Sequence, residues 1–186
     1  MNRDNNEHKP TSSQLESAEG KKVSDIIRKS LDILFCGINP GLYSAAVGHH
    51  FARPGNRFWK ALHESGLTER LLEPWEEEEL LKEGFGITNL VNRATARASE
   101  LEREELMEGR KILQSKVSKF NPSMVAILGI TAYRTAFEKR KADIGKQEEK
   151  IAGSELWVLP NPSGINAHYQ LSDFVRLFRN LKRELS

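Results

Sequence analysis

Residues 31–41 read LDILFCGINPG, in which a short apolar run ends abruptly at Asn-Pro-Gly. An apolar run of this length, followed at once by turn-forming residues, predicts a fully buried strand. Three further runs, at residues 86–91, 123–129 and 155–160, have the same character and are separated by helical patterns. Strands that alternate with helices indicate a parallel sheet covered on both faces. We therefore expect a fold of the α/β class, a three-layer αβα single domain with a central, mostly parallel sheet of four to five strands.

Helical patterns fill the segments between and beside these strands. Apolar spacing predicts helices over residues 57–65, 74–83, 99–120, 131–139 and 172–185, and a shorter helix over residues 23–30. Residues 1–22 contain almost no apolar side chains, so they cannot bury enough surface to offset the entropy lost on ordering. We therefore expect a disordered polar tail at residues 1–22, followed by one domain at residues 23–186.

The charge of the chain is nearly balanced but unevenly distributed. The 186 residues include 28 basic and 26 acidic side chains, a net charge of +2 that gives no sign of nucleic-acid binding. No acid lies between residues 39 and 60, where Arg53, Arg57 and Lys60 are found, whereas residues 73–83 hold six glutamates. A segregated basic segment of this kind fits either a solvated surface or a contact with DNA.

Cysteine and histidine usage argue against several kinds of site. Cys36 is the single cysteine, so no intramolecular disulfide can form, and a reducing intracellular compartment fits. It lies within the apolar run and is expected to be a core residue. His49 and His50 are adjacent and have no third ligand near them in sequence, so no metal site is expected. No apolar stretch approaches the length of a membrane span, and no membrane partner is expected.

Ligands of a parallel sheet bind beyond the carboxyl ends of its strands, so the loops at those ends are the candidate sites. The four loops read GINPG, NLVNRATARA, GITAYR and NPSGINAHYQ in chain order. The first and the last share an Asn-Pro start and a following glycine, which would place Asn39 and Asn161 at the rim. Taken alone, Asn-Pro-Gly is more often an ordinary turn than a site. No acid pair or dedicated nucleophile is apparent, which disfavours two-carboxylate glycosidase chemistry.

In combination, these segments resemble the mismatch-specific uracil/thymine-DNA glycosylases. The resemblance runs in order from about residue 31 to residue 185, through GINPGL, GHHF, PGNRFWKAL, SGLT, GITNLVNRAT, VAILG and WVLPNPSGIN. It implies a uracil-DNA glycosylase-like fold and an enzyme that hydrolyses the N-glycosidic bond of uracil, or a related damaged pyrimidine, flipped from double-stranded DNA. It also implies no cofactor, no metal, no strand-cleaving lyase step, a monomer, and an intracellular location where DNA is.

The resemblance assigns roles to residues of the first loop. Asn39 matches the family's catalytic asparagine, whose amide can hold a water molecule but cannot deprotonate it. Ile38 and Phe51 match residues that line the base pocket, and Phe51 would stack on the flipped pyrimidine. Without the resemblance, Phe51 is about as well explained as a core residue.

Three further residues match positions that bear on the choice of base. Ser44 matches a position beside the pocket that bears on tolerance of the thymine methyl group, and His50 matches a histidine in the thymine-active branch. Asn89 lies where some members place an amide that faces the uracil edge and others a lysine. An amide can donate to a carbonyl and accept from N3–H, so Asn89 would strengthen the reading of uracil. Because the thymine methyl group needs room that Ser44 and its neighbours limit, we expect uracil opposite guanine to be preferred over thymine opposite guanine.

The segment NPSGIN resembles the family's wedge, in which Gly164 and Ile165 would enter the gap left by the flipped nucleotide. The residues expected to contact DNA are Arg53, Arg57, Lys60, Asn161, Ser163, Gly164, Ile165 and His168. The chain departs from the family pattern at Ala167, where relatives carry an arginine, and at Asn92, where they carry an acid.

Two other functions are compatible with parts of the sequence. One is a non-catalytic module that binds mismatched or abasic DNA, and the other is an enzyme that acts on free nucleosides. Retention of Asn39 and Phe51 argues against the first. The apolar wedge argues against the second, because a free nucleoside leaves no gap to fill.

Overall fold

The computed structural model describes residues 9–185, whose strands form one five-stranded sheet in the order β2-β1-β3-β5-β4. The strands are β1 Ile33–Gly37, β2 Phe85–Asn89, β3 Met124–Leu128, β4 Gly145–Ile151 and β5 Ser154–Leu159. Every neighbouring pair is parallel except β4 and β5, which are antiparallel. The predicted α/β class and the mostly parallel central sheet are confirmed.

Helices flank this sheet. They are α1 Ser12–Glu16, α2 Leu42–Val47, α3 Phe58–Glu64, α4 Arg103–Phe120, α5 Ile130–Ala136 and α6 Leu171–Glu184, with 3-10 helices at Pro74–Leu81 and Ala98–Glu100. Over residues 9–185, no helix has both the length and the apolar character needed to cross a membrane.

The side chains of β1 alternate between two hydrophobic clusters, one on each face of the sheet. Phe35 packs against Phe58 of α3 and Phe178 of α6, with ring centroids 5.2 Å and 5.6 Å away. Leu34 and Cys36 belong to the opposite cluster, which α4 and α5 cover. Helices therefore cover both faces and complete the predicted three layers. Cys36 is fully buried as expected, and this burial raises the pKa of its thiol to about 12.

Three segments differ from the sequence-based expectation. Residues 23–30 form no helix, because Ile26 instead makes an antiparallel bridge to Ile87 of β2. Residues 74–81 coil as a 3-10 helix rather than an α-helix. Strand β4 was not predicted because GKQEEKI has no apolar run, and an edge strand with one neighbour keeps most of its side chains partly exposed.

Part of the expected disordered tail is ordered. Thr11 begins α1 with a capping box formed with Gln14. Two residues after α1, Ala18 is fully buried and packs with Val23 and Ala94. One small apolar side chain is enough to anchor this polar segment to the domain, and the average composition of the segment does not reveal such a contact. The expectation for residues 1–8 lies outside the described residues.

Candidate active site

A cavity of about 140 Å³ opens at the carboxyl edge of the sheet, beyond the ends of β1, β2, β3 and β5. Its volume is close to that of a cavity of about 150 Å³ that holds one benzene ring. The lining includes all six residues predicted to act in catalysis or base binding: Ile38, Asn39, Ser44, His50, Phe51 and Asn89. None of the lining residues, all within 9–185, is an aspartate, a glutamate or a lysine. A single flat ring therefore has room here, in surroundings without a carboxylate.

The carboxamide of Asn39 is held in one orientation. Its Nδ2 donates to the Arg93 carbonyl oxygen at 3.0 Å and to Thr95 Oγ1 at 2.8 Å. The Arg93 carbonyl can only accept, and the one hydroxyl proton of Thr95 is already donated to the Arg97 carbonyl oxygen at 2.8 Å. The amide atom that faces both partners must therefore be the nitrogen. Asn39 Oδ1 is left as an acceptor, and no described residue donates to it.

Asn89 is oriented by a second relay of hydrogen bonds. His50 Nε2 lies 2.8 Å from the Ser24 carbonyl oxygen, so this nitrogen carries the proton. His50 Nδ1 is then an acceptor, and the Asn89 atom at 3.4 Å from it is the donor Nδ2. Burial of His50, which is 3% exposed, lowers the pKa of its imidazole and keeps it neutral.

Gly37 allows the resulting arrangement at the end of β1. A Cβ atom at residue 37 would lie 2.6 Å from Asn89 Oδ1 and 3.3 Å from a ring atom of Phe51. A side chain at this position would therefore push the carboxamide and the ring out of place. The glycine lets Asn89 and Phe51 converge on the floor of the cavity.

Phe51 is held in an unusual backbone conformation. Its φ is +53°, a left-handed value that a bulky residue rarely adopts. The neighbouring His50 backbone is fixed on both sides, because its N–H donates to Glu77 at 2.8 Å and its carbonyl accepts from Trp59 Nε1 at 3.2 Å. The Phe51 ring packs on Phe58 with centroids 4.2 Å apart. The strain is thus sustained by surrounding contacts, as is common at functional sites.

Glu77 comes from the glutamate-rich segment, and its carboxylate is nearly buried, with 5% of the residue exposed. Besides the His50 amide, it pairs with His49 Nδ1 at 2.9 Å. It does not line the cavity. Glu77 therefore supports the loop that carries Phe51, a role for which the sequence offered no signal.

Ser44 lies at the cavity as expected, but its hydroxyl has a structural task. Ser44 Oγ accepts a hydrogen bond from the Ala52 backbone at 3.1 Å. This bond links α2 to the residue after Phe51. Ser44 therefore helps to hold in place the loop that carries Phe51.

Arg57 is placed differently from the expected phosphate contact. Its guanidinium, half-buried behind the wedge segment, stacks on the Phe174 ring at 5.0 Å from the centroid. It donates to four carbonyl groups in and just after that segment: those of Pro162, Ser163, Asn166 and Tyr169. Arg57 therefore orders residues 162–169, and its donors point at the protein rather than at solvent.

The wedge segment itself stands against the first loop. Ile165 is 69% exposed at the cavity rim, which is the position a wedge needs. A Cβ atom on Gly164 would lie 2.9 Å from the Gly55 carbonyl oxygen, so only glycine allows the two loops to approach this closely. Asn161 and Ser163 line the cavity, and Asn161 Oδ1 accepts from the Ser163 amide at 3.0 Å.

The remaining predicted DNA contacts are exposed. Arg53 lies at the cavity and Lys60 beside a neighbouring groove on the same side. His168 is exposed at the far side of the wedge. Arg97, which was not predicted, adds an exposed basic side chain to the cavity lining. Together with Arg53 it makes the mouth of the cavity basic.

Thr95 is the main site residue that the sequence reasoning missed. It is 1% exposed, lines the cavity and holds Asn39 through the hydrogen bond described above. The loop after β2 was a candidate, but nothing in NLVNRATARA marks which side chain turns inward. Arg93, which follows Asn92, pairs with Glu105 of α4, and this contact lowers the pKa of the Glu105 carboxyl to about 2.

No group of three or more His, Cys, Asp or Glu side chains within residues 9–185 is placed to hold a metal ion. The chemistry available at the cavity is that of oriented amides, one neutral imidazole and basic groups at the mouth.

Comparison with known proteins identifies the superfamily of this chain. Residues 25–185 match the model of the uracil DNA glycosylase superfamily, so the segment before residue 25 lies outside the match. Among solved structures, the chain is similar to the solution NMR structure of a candidate uracil DNA glycosylase from Methanosarcina acetivorans. That similarity has a TM-score of 0.57 at 22% sequence identity and covers 88% of this chain and 98% of the other. The matched span includes the whole sheet and every residue predicted for the site, and the chain belongs to the uracil DNA glycosylase superfamily.

Proposed function

We propose that this chain is a monofunctional DNA glycosylase of the mismatch-specific uracil/thymine type. Its substrate would be uracil, or a related damaged or mismatched pyrimidine, flipped out of double-stranded DNA. Superfamily membership supports the general activity of uracil excision. One observation carries the finer proposal: Asn39 Oδ1 is left as a fixed acceptor at a ring-sized cavity whose lining has no carboxylate.

The chemistry follows from what an amide can do. Asn39 Oδ1 accepts a hydrogen bond from a water molecule and so directs the oxygen of that water at the sugar. The amide cannot remove a proton from the water. The glycosidic bond must therefore break largely by itself, giving a cation-like sugar and an anionic base. The protein positions the water, whose oxygen bonds to the sugar cation while its proton passes to the departing base anion or to solvent, and it stabilises that departing base. Lack of a general base, typically worth about 10²–10⁴-fold, predicts a modest rate.

Recognition of uracil rests on the orientation of Asn89. Its Oδ1 accepts from the N3–H of uracil, and the free proton of Nδ2 donates to the adjacent O4 carbonyl. Cytosine carries no proton on N3, so its N3 and Asn89 Oδ1 would face each other as two acceptors. The same pattern admits thymine, whose additional methyl group must fit beside Ser44 and Phe51.

The DNA would be held from the side of the basic mouth. Arg53, Arg97 and Lys60 would contact phosphates, and Ile165 would occupy the gap left by the flipped nucleotide. Since no lysine among residues 9–185 lines the cavity, we expect no lyase step.

The proposal is tested by single-turnover base release from duplexes with uracil opposite guanine, uracil opposite adenine or thymine opposite guanine, and from single-stranded uracil. We expect release from G·U to be fastest, with strand cleavage only after alkali treatment. Equal rates on G·U and G·T would contradict the expected base preference. Tight binding to G·U without release from any substrate would instead favour a non-catalytic DNA-binding module.

A further inference from the structure

The segment of residues 11–24, hereafter the strap, crosses the back of the two loops that hold the site amides. It precedes the residues matched to the superfamily. Its residues 11–22 were expected to belong to a disordered tail, and residues 23–24 to the start of a short helix. The strap makes hydrogen bonds to Ala94 and to His50. Ala94 is the neighbour of the two residues that orient Asn39, and His50 orients Asn89.

The first contact is a reciprocal pair of backbone hydrogen bonds. Gly20 N–H donates to the Ala94 carbonyl oxygen at 2.9 Å, and Ala94 N–H donates to the Lys21 carbonyl oxygen at 2.9 Å. Ala94 stands between Arg93 and Thr95, the two residues that bind Asn39 Nδ2. The pair therefore fixes the backbone from which both of those acceptors project.

The second contact is made by the last residue of the strap. The Ser24 carbonyl oxygen accepts from His50 Nε2 at 2.8 Å and so decides which ring nitrogen carries the proton. That choice leaves His50 Nδ1 to accept from Asn89 Nδ2. The Ser24 carbonyl thus sets the direction of an amide with which it makes no contact.

The strap is anchored by a small apolar cluster. Ala18 and Val23 pack with Ala45 and Ala94, and all four are buried. Ala45 belongs to α2, which follows the Asn39 loop directly. The anchor therefore joins the strap to both loops at once.

We propose that the strap is a positioning element of the active site, which holds the water-binding and base-reading amides in their productive directions. This inference rests on the proposed function. It predicts that loosening the strap slows the chemical step while leaving affinity for DNA unchanged, because the strap lines no part of the cavity or its mouth. A misplacement of about 1 Å is enough to cost about 100-fold in rate.

The test compares two full-length variants with the wild-type chain. Ala18→Glu places a carboxylate in the buried anchor, whereas Ser13→Glu adds the same side chain at an exposed position of α1. We expect Ala18→Glu to reduce the single-turnover rate on G·U duplex about 10- to 100-fold at saturating enzyme. Its affinity for the duplex should equal that of Ser13→Glu, and hydrogen exchange should quicken at the Ala94 amide but not in β1 or β3.

A milder variant guards against loss of folding. Gly20 has a φ of +74°, and a Cβ atom there meets nothing within 4 Å, so Gly20→Ala strains only the strap. A few-fold lower rate with unchanged affinity is expected. Wild-type rates in both variants, despite faster exchange at Ala94, would overturn the inference. A wild-type chain that releases no base from any substrate would instead refute the proposed function.

Discussion

The hydrogen bond between Thr95 and Asn39 can be tested without changing the shape of the site. Thr95→Val keeps the buried volume but removes Oγ1, which accepts from Asn39 Nδ2 at 2.8 Å and donates to the Arg97 carbonyl. Thr95→Ser keeps the hydroxyl and removes only a methyl group, so it is the matched control. The pair separates the hydrogen bond from packing.

The size of the effect follows from the environment of Thr95. At 1% exposure, water cannot readily replace the lost partner, so the valine variant leaves one Nδ2 proton of Asn39 unsatisfied. An unsatisfied buried group costs about 1–3 kcal/mol. If Asn39 turns to avoid that cost, the same free energy is lost from water positioning, which corresponds to a rate about 5- to 150-fold lower.

The assay is single-turnover release of uracil from G·U duplex at saturating enzyme, with duplex affinity and the melting temperature measured alongside. We expect Thr95→Ser to stay within about threefold of wild type and Thr95→Val to fall into the range above, both with wild-type affinity. A valine variant as fast as the serine variant would refute the claim that Thr95 orients Asn39.

Three further outcomes are expected. Burial keeps the pKa of His50 in the folded chain below its ordinary value of 6.5. Below pH 6.5 the unfolded chain therefore binds more protons than the folded chain. The stability contributed by neutral, buried His50 is present above pH 6.5 and is lost as the pH falls through the lower pKa of the folded state. The melting temperature should therefore drop more steeply on acidification in wild type than in His50→Gln, and parallel curves would contradict the assignment. Ile165→Ala should slow release from duplex about tenfold but leave single-stranded uracil nearly unaffected, whereas equal losses would exclude a wedge. Arg57→Ala removes the charge but should preserve the salt dependence of binding, because the donors of Arg57 face protein carbonyls, and it should loosen residues 162–169 in hydrogen exchange. Lys60→Ala should instead lower the salt slope by about one without loosening that segment, and a slope lowered equally in Arg57→Ala would mean that Arg57 does contact phosphate.

The sheet was predictable where burial dominates the sequence. Leu34, Phe35 and Cys36 are all apolar because both faces of β1 are covered, and such a run has few alternatives to a central strand. The pattern fails at the periphery. Strand β4 is polar because it has only one neighbouring strand in the sheet of the described residues. The strap is anchored by a few small buried side chains, of which Ala18 is one. Marginal burial leaves little trace in composition.

The residues of the site were likewise predictable only in part. The sequence could identify Asn39, because its neighbours form a long motif, but it could not show which way the amide points. That direction is set by Arg93 and Thr95, which lie 54 and 56 residues further along the chain. Arg57 was expected to bind phosphate because it is basic and near the loop. Its partners are carbonyls 105–112 residues away, which only the fold brings to it.

The most direct test of the account is single-turnover uracil release by Asn39→Ala, measured beside its affinity for G·U duplex. The alanine removes the acceptor that holds the water and leaves the base-reading and DNA-contacting residues in place. We predict that release from G·U is abolished while duplex affinity stays at the wild-type level. Release at the wild-type rate, or an equal loss of binding and release, would contradict the claim that Asn39 positions the attacking water.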